Sequence, residues 1–259
     1  MKRIINVIIL LLSVSLYGQT TNKTEEWHFD TWTNLSNIEY KEKLNFYDFC
    51  NLWTVTENSN VYGFIDIPFQ RIRIKILSAT RSKNNRNIYN ISGKSKVKNR
   101  ICTFQGTITI SSIKTYDIMH WGVDNEYKGT GIKKQGLLVA TYYFKEDRNY
   151  LHSGTFEGTL YSLWYLDKLG KIRYDKIESN SDNYRNNQFI GLWRDYVTKE
   201  KKACCWGDFR IPASGDLDIG EGEFSPAKKY LKFGWQTYHD AYSNNNKSAR
   251  QEEEIKWWK

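Results

Sequence analysis

The sequence lacks the short motifs that identify many enzymes and metalloproteins. It contains no glycine-rich phosphate loop, no G-x-S-x-G and no C-x-x-C, and its four histidines lie far apart along the chain. Zinc sites use closely spaced cysteine and histidine ligands, so we expect no bound metal. We also expect no cofactor, and the missing catalytic motifs favour a non-enzymatic protein.

Long apolar runs are also missing. After the first residues, no stretch stays apolar for the roughly 18 residues that a membrane-spanning helix needs, so we expect no membrane span. Residues 1–18 begin with Lys2 and Arg3, continue with the apolar run Ile4–Leu12 and end in small, turn-prone residues. This pattern is typical of a secretory signal peptide. We expect cleavage after Gly18, with Ser15 as the alternative, and a periplasmic or secreted protein.

Cysteines are few. In an oxidising compartment disulfides persist, so we expect at least one, joining Cys204 or Cys205 to Cys102 or Cys50. Four cysteines allow three full pairings, and the sequence does not choose among them. Because neighbouring residues of a strand point to opposite faces, Cys204 and Cys205 should have different surroundings.

Helical periodicity is weak except near the two ends, and strand patterns dominate between Val61 and Trp235. Segments such as RIRIKIL, GLLVATYYF and GTFEGTLYSLWYL are rich in β-branched and aromatic residues, and turn-forming residues separate them. The pattern predicts an all-β protein, either an antiparallel barrel of lipocalin-like form or a sandwich meander. We expect one antiparallel domain over residues 19–242, and a polar linker with a short tail over residues 243–259.

Acidic residues are absent from residues 71–100, which contain ten basic ones. The stretch RIRIKI, residues 71–76, alternates a cation with isoleucine, which predicts a strand with one apolar and one cationic face. A two-residue turn at Asn84–Asn85 pairs this strand with residues 94–98. The predicted face then holds six candidate anion-binding residues, Arg71, Arg73, Lys75, Lys94, Lys96 and Lys98.

Two interpretations of this cationic face stay open. The charges are solvated or paired within the protein, or they bind an anionic glycan or a lipid headgroup. Specific binding of nucleic acid is not expected, and the sequence leaves the oligomeric state undetermined.

Two further groups of residues are candidate sites. Tryptophans can form platforms for a sugar or a lipid, although a buried core position is their commoner fate. These candidates are Trp121, Trp164, Trp193 and Trp206. Five carboxylates crowd a short segment and could serve a calcium site or a glycosidase. These are Asp208, Asp216, Asp218, Glu221 and Glu223.

Three segments carry a resemblance to a known family. They are residues 61–110, which include QRIRIKILSATR and CTFQGTITI, residues 154–175, and residues 189–226, which include FIGLW and CCWGDFRIP. Together they resemble an uncharacterised family of exported proteins from Bacteroidota-type bacteria, which implies an envelope or extracellular setting but no activity. The G-x-W of FIGLW also resembles the short motif of the lipocalin barrel, which implies a buried tryptophan on a strand.

The sequence therefore favours an exported, non-enzymatic β-domain that binds a ligand or an envelope component, whether glycan, lipid or another anion. A secreted glycan hydrolase using a carboxylate pair and a structural or adhesive envelope protein are the alternatives.

Overall fold

The computed structural model describes residues 34–259, so the predicted signal peptide lies outside the described residues. Residues Ser36–Lys259 form one compact unit. Its nine strands are β1 Val61–Ile65, β2 Gln70–Arg81, β3 Ile88–Val97, β4 Arg100–Thr115, β5 Lys134–Glu146, β6 Gly154–Leu166, β7 Ile172–Tyr174, β8 Asn186–Asp195 and β9 Lys201–Asp208.

The strands close into an eight-stranded antiparallel barrel. Their order is β5-β4-β3-β2-β1-β9-β8-β6, and β6 pairs back onto β5 along its length. Strand β7 is a short addition that pairs with β6 beyond the end of β8. The predicted all-β class is confirmed, and the alternative between barrel and sandwich is decided for the barrel, because the pairing of β5 with β6 leaves no open sheet edge in this ring.

Helices are short. They are α1 Lys41–Leu44, α2 Gln236–Tyr242 and α3 Lys247–Glu254, with 3-10 turns at Cys50–Trp53, Asn58–Asn60, Val123–Asn125 and Lys228–Phe233. Within residues 34–259, no helix is both long and apolar enough to cross a membrane.

The β2–β3 hairpin has the predicted register over its charged half. Arg73 lies opposite Lys96, and Lys75 lies opposite Lys94. The predicted two-residue turn is wrong: β2 ends at Arg81 and β3 begins at Ile88. Between Ile76 and Ser78 the register shifts by one residue, so Leu77 forms a bulge that the alternation pattern does not reveal.

Aromatic side chains fill the middle of the barrel. Phe189 stacks on Trp206 with ring centroids 4.5 Å apart, and Tyr142 packs edge-on against Trp206. The Tyr142 hydroxyl fits between paired glycines, Gly158 of β6 and Gly191 of β8. A Cβ added at these glycines would stand 2.8 and 2.5 Å from that oxygen, so a larger residue at either position would displace the ring.

The two ends of the barrel differ. At one end, the 3-10 turn Cys50–Trp53 packs into the opening, where the Trp53 indole N–H donates to Ser162 at 3.1 Å and Phe49 meets Trp164 edge-on. At the other end lie the hairpin turns β1–β2, β3–β4, β5–β6 and β8–β9. This second end contains a cavity, described below.

The C-terminal segment covers one outer side of the barrel. Tyr62 of β1 packs against Phe224 and Tyr238, which form an outer apolar cluster with Trp235. Residues 243–259, predicted to be a polar linker and a short tail, include the short helix α3, which agrees with the helical periodicity near the C-terminal end; Glu253 of α3 is buried. The cause is an ion pair with β2, a contact that local sequence does not show.

The four cysteines are free, so the expected disulfide is not present in residues 34–259, which include all of them. Cys204 belongs to the barrel interior and Cys205 to the outer cluster, which confirms that the two neighbours face opposite sides of β9. Cys50 lies on the 3-10 turn at the closed end, and Cys102 lies beside the cavity at the open end. The fold separates the thiols instead of joining them.

Candidate functional site

The open end of the barrel holds a cavity of about 670 Å³, which we call the mouth cavity. Its apolar wall is formed by Ile65, Ile72, Val97, Phe156 and Trp193. Period-two alternation turns these side chains inward from five strands, so the cavity is the unfilled end of the same interior that aromatic rings occupy further in. The arrangement offers apolar surface within reach of solvent.

Glu146 is the one buried carboxyl in the wall of the mouth cavity. Ser95 donates its hydroxyl to Oε1, while the Gly154 backbone N–H and the Trp193 indole N–H donate to Oε2 at 2.9 Å each. Burial raises the pKa of Glu146, and these hydrogen bonds oppose the shift only in part. Glu146 is not among the site residues predicted from the sequence, although inward alternation from Tyr142 along β5 indicates its position.

Cations stand at the rim of the mouth cavity. Lys98 and Arg100 flank the tight β3–β4 turn and are exposed, and neither has an ion pair within residues 34–259. Lys202 of β9 also lines the rim, but it pairs with Asp66 at 2.9 Å. The rim therefore presents two positive charges without an ion pair beside an apolar wall, and the charge of Arg100 acts on Glu146 against the rise of its pKa.

The six residues of the predicted cationic face do not share one environment, and the three on β2 have partners within the protein. Arg71 is 7% exposed, and its two terminal nitrogens contact the two Glu253 oxygens at 2.8 and 2.6 Å. Arg73 shares the same carboxylate at 2.6 Å. Lys75 donates to the Thr56 carbonyl at 3.3 Å, and its ammonium lies 5.4 Å from the centre of a Trp258 ring. For these three cations the tail supplies partners, as the internally paired interpretation expects.

Two of the three remaining lysines of the predicted cationic face line a second cavity. Lys96 and Lys98 line a groove of about 530 Å³ between the hairpin and the C-terminal helices, whereas Lys94 does not line it. Burial, and after it the charge of Arg73, lowers the pKa of Lys96. We call this space the cationic groove and define it by Arg71, Arg73, Lys96, Lys98 and Lys232.

Of the four tryptophans proposed as ligand platforms, one lines the mouth cavity and none lines the cationic groove. Trp193 lines the mouth cavity. Trp164 and Trp206 lie in the barrel core, 0% and 2% exposed, and Trp121 is half-buried in the loop between β4 and β5. Core packing is therefore the role of two of the candidates.

The carboxylate cluster does not assemble into one site. Asp218 pairs with Arg210 at 2.7 Å, and Asp216 contacts Lys229 on the surface. Glu221 and Glu223 are exposed, and neither the mouth cavity nor the cationic groove is lined by a residue of this cluster. Among the residues described, no group of three or more His, Cys, Asp or Glu side chains could hold a metal ion.

Asp208 of this cluster lies apart, at the closed end of the barrel. Its Oδ2 accepts hydrogen bonds from Thr56 at 2.8 Å, Tyr174 at 3.0 Å and Asn187 at 2.8 Å. Burial raises the pKa of Asp208 to about 7, although these three donors act in the opposite direction. The residue joins the plugged end to β7 and β8, which is a structural role.

The fold and its cavities define a closed antiparallel β-barrel with one open, cation-rimmed end. Comparisons of the chain with protein-family models, curated proteins and solved structures found no match. Function is therefore argued from the two cavities themselves.

Proposed function

We propose that this protein is an exported binding protein whose mouth cavity holds a small amphipathic ligand, with the apolar part inside and an anionic group at the rim. The observation that carries the proposal is the mouth cavity itself, about 670 Å³ at one end of an eight-stranded barrel. Small-molecule sites commonly measure roughly 300–1,000 Å³, and barrels of eight strands can hold one small ligand. The signal-like pattern of residues 1–18 supports export.

The depth of the cavity limits the ligand. Phe156 packs against Phe104 and Trp206, and Phe104 stacks on Phe144, so aromatic rings fill the interior beyond Phe156. Phe156 and Trp193 are therefore the deepest aromatic side chains that a ligand in the mouth cavity can reach. This depth favours a ligand with a short chain or one ring system over a long acyl chain.

The rim and the inner wall select different ends of the ligand. Lys98 and Arg100 favour an anionic group on the solvent side. Inside, Glu146 uses Oε1 for one hydrogen bond and Oε2 for two. A carboxyl group has about four lone-pair positions, so Oε1 retains an acceptor position for a ligand hydroxyl. The hydrolase alternative has less support, since the proposed carboxylates lie outside both cavities.

Binding of matched ten-carbon amphiphiles tests this proposal. Titration calorimetry below micelle-forming concentrations should show saturable binding, tightest for decanoate, weaker for decanol and weakest for decylamine. Val97→Trp fills the mouth and should weaken all three by at least about tenfold, a loss of about 1.4 kcal/mol. Arg100→Gln should lower only decanoate affinity, by about two- to fivefold, the effect of one exposed charge.

Lys94→Gln is the matched control, because Lys94 points outward from β3 and lines neither cavity. It should bind all three amphiphiles as the wild type does. Circular dichroism would show whether the Val97→Trp variant folds. If it does not fold, the decanoate affinity of Arg100→Gln relative to the wild type tests the proposal. Wild-type affinity in both variants, or no saturable binding of any probe, would refute the mouth as a ligand site.

A further inference from the structure

The cationic groove contains more positive charge than its carboxylates balance. Its walls include the five cations that define it and one carboxylate, Glu252. Arg71 and Arg73 also share the buried Glu253 carboxylate, which does not line the groove. Five cations against two carboxylates leave an excess of three. Because such a groove has low-dielectric walls, its field is focused more strongly than that of an open surface.

Part of this positive charge is buried, and burying a charge that is not fully paired lowers the stability of the folded state. The side chains of Arg71, Arg73 and Glu253 are 8%, 16% and 2% exposed. Two guanidinium groups share the single charge of Glu253, and burial, followed by the charge of Arg71, lowers the pKa of Arg73, although Glu253 and Glu252 act in the opposite direction. Within the described residues the Arg71 Nε–H also has no hydrogen-bond partner. A buried donor without a partner is unusual in a folded protein.

We propose that the cationic groove binds an oxyanion group, either a phosphate or a sulfate ester. A phosphate monoester carries close to two negative charges at pH 7 and a sulfate ester carries one, so either group supplies charge that Glu253 alone does not. Its several oxygens can accept from Arg73, Lys96 and Lys232 together. Lys96 comes from β3 and Lys232 from the 3-10 turn before α2, so the bound group would join the barrel to the C-terminal segment.

This site is separate from the mouth cavity, although the two share Gln70, Lys98 and Asn99 in their walls. A free oxyanion would occupy the groove alone. An oxyanion on an apolar chain would place its chain in the mouth. The groove binds the same chemical group in both cases, and the experiment distinguishes the two sources.

The test is calorimetric titration with inorganic phosphate and with decyl phosphate in a zwitterionic buffer at low ionic strength. We expect saturable binding of inorganic phosphate by the wild type. Lys96→Gln and Lys232→Gln should each weaken it by about three- to tenfold, the effect of one charge-assisted hydrogen bond in a partly exposed site. Lys94→Gln is the matched control on the same strand and should leave phosphate affinity unchanged.

Decyl phosphate identifies the source of the group. Tighter binding than inorganic phosphate, with the gain lost in Val97→Trp, indicates an amphiphile that spans both sites. Equal affinity for the two probes indicates a free oxyanion. Thermal unfolding is the second readout: phosphate should raise Tm for the wild type and Lys94→Gln, and less for Lys96→Gln and Lys232→Gln.

The proposal is overturned if phosphate shows no saturable binding, or if Lys94→Gln weakens it as much as Lys96→Gln and Lys232→Gln do. These results are independent of the decanoate titration, because Arg100, the rim charge tested there, does not line the cationic groove.

Discussion

Replacing Glu253 with glutamine is expected to lower the free energy of unfolding by about 3–5 kcal/mol, the usual cost of removing one partner from a buried ion pair. The neutral amide leaves Arg71 and Arg73 without a counter-charge under α3. Urea denaturation at neutral pH measures the change. Loss of this pair should also release the C-terminal segment from β2.

Glu254→Gln is the matched control, because Glu254 is the next residue of α3 and is exposed. It should change the free energy of unfolding by no more than about 0.5 kcal/mol. Equal effects of the two substitutions would contradict the ion-pair account.

The same pair predicts acid sensitivity. Burial by itself would raise the pKa of Glu253, but the hydrogen bonds and charges of Arg71 and Arg73 outweigh it and lower the pKa below its ordinary value of 4.5. The stabilisation is therefore fully present above that value and is lost as the pH falls through the lower, folded-state pKa. The Glu253→Gln variant should lack this part of the acid transition.

Replacing Asp208 with asparagine is expected to make the protein more stable than the wild type at about pH 8, by up to about 4 kcal/mol, and similar to it at about pH 4. The unfolded carboxyl ionises near 3.8, and the pKa of the folded one is raised to about 7 by burial. Between these values the folded state holds a proton that the unfolded state has released, so wild-type stability falls as pH rises. Asparagine keeps an oxygen acceptor for Thr56, Tyr174 and Asn187.

Urea denaturation across this pH range, for wild type and Asp208→Asn, measures the difference. Asp175 and Glu146 titrate with the same sign, because burial raises both pKa values, and their contribution remains in the variant. Glu223→Gln, an exposed change in the same segment, should alter the free energy of unfolding by no more than about 0.5 kcal/mol. Parallel curves for Asp208→Asn and wild type would show that Asp208 is ionised in the folded state at neutral pH.

The candidate site was only partly predictable. Lys96 and Lys98 are predicted anion-binding residues, and both line the cationic groove. Lys94 follows the same alternation but lies outside the groove, whereas Arg71 and Arg73 line it and share the Glu253 carboxylate. The difference arises from Glu253, 182 residues after Arg71 in the chain, and no local pattern links two such distant positions.

The mouth cavity shows a similar limit. Trp193 and Trp206 both lie on strands and both face inward, yet one borders a cavity and the other is packed among aromatic rings. Their depth along the barrel axis separates them, and depth depends on how all eight strands are staggered. The same reason applies to Glu146. The alternation along β5 predicts that its side chain faces inward, but the sequence does not show that it lies at the open end of the barrel.

By itself, the sequence determined the all-β class, the inward and outward faces of the strands, and the opposite surroundings of Cys204 and Cys205. These features follow from the two-residue period of a strand, which is a local property. Only the tertiary structure decided that the sheet closes, which end stays open, which thiols remain apart and which cations Glu253 neutralises. Those outcomes depend on contacts between residues far apart in the chain, where burial and charge are set by the assembled barrel and not by neighbouring residues.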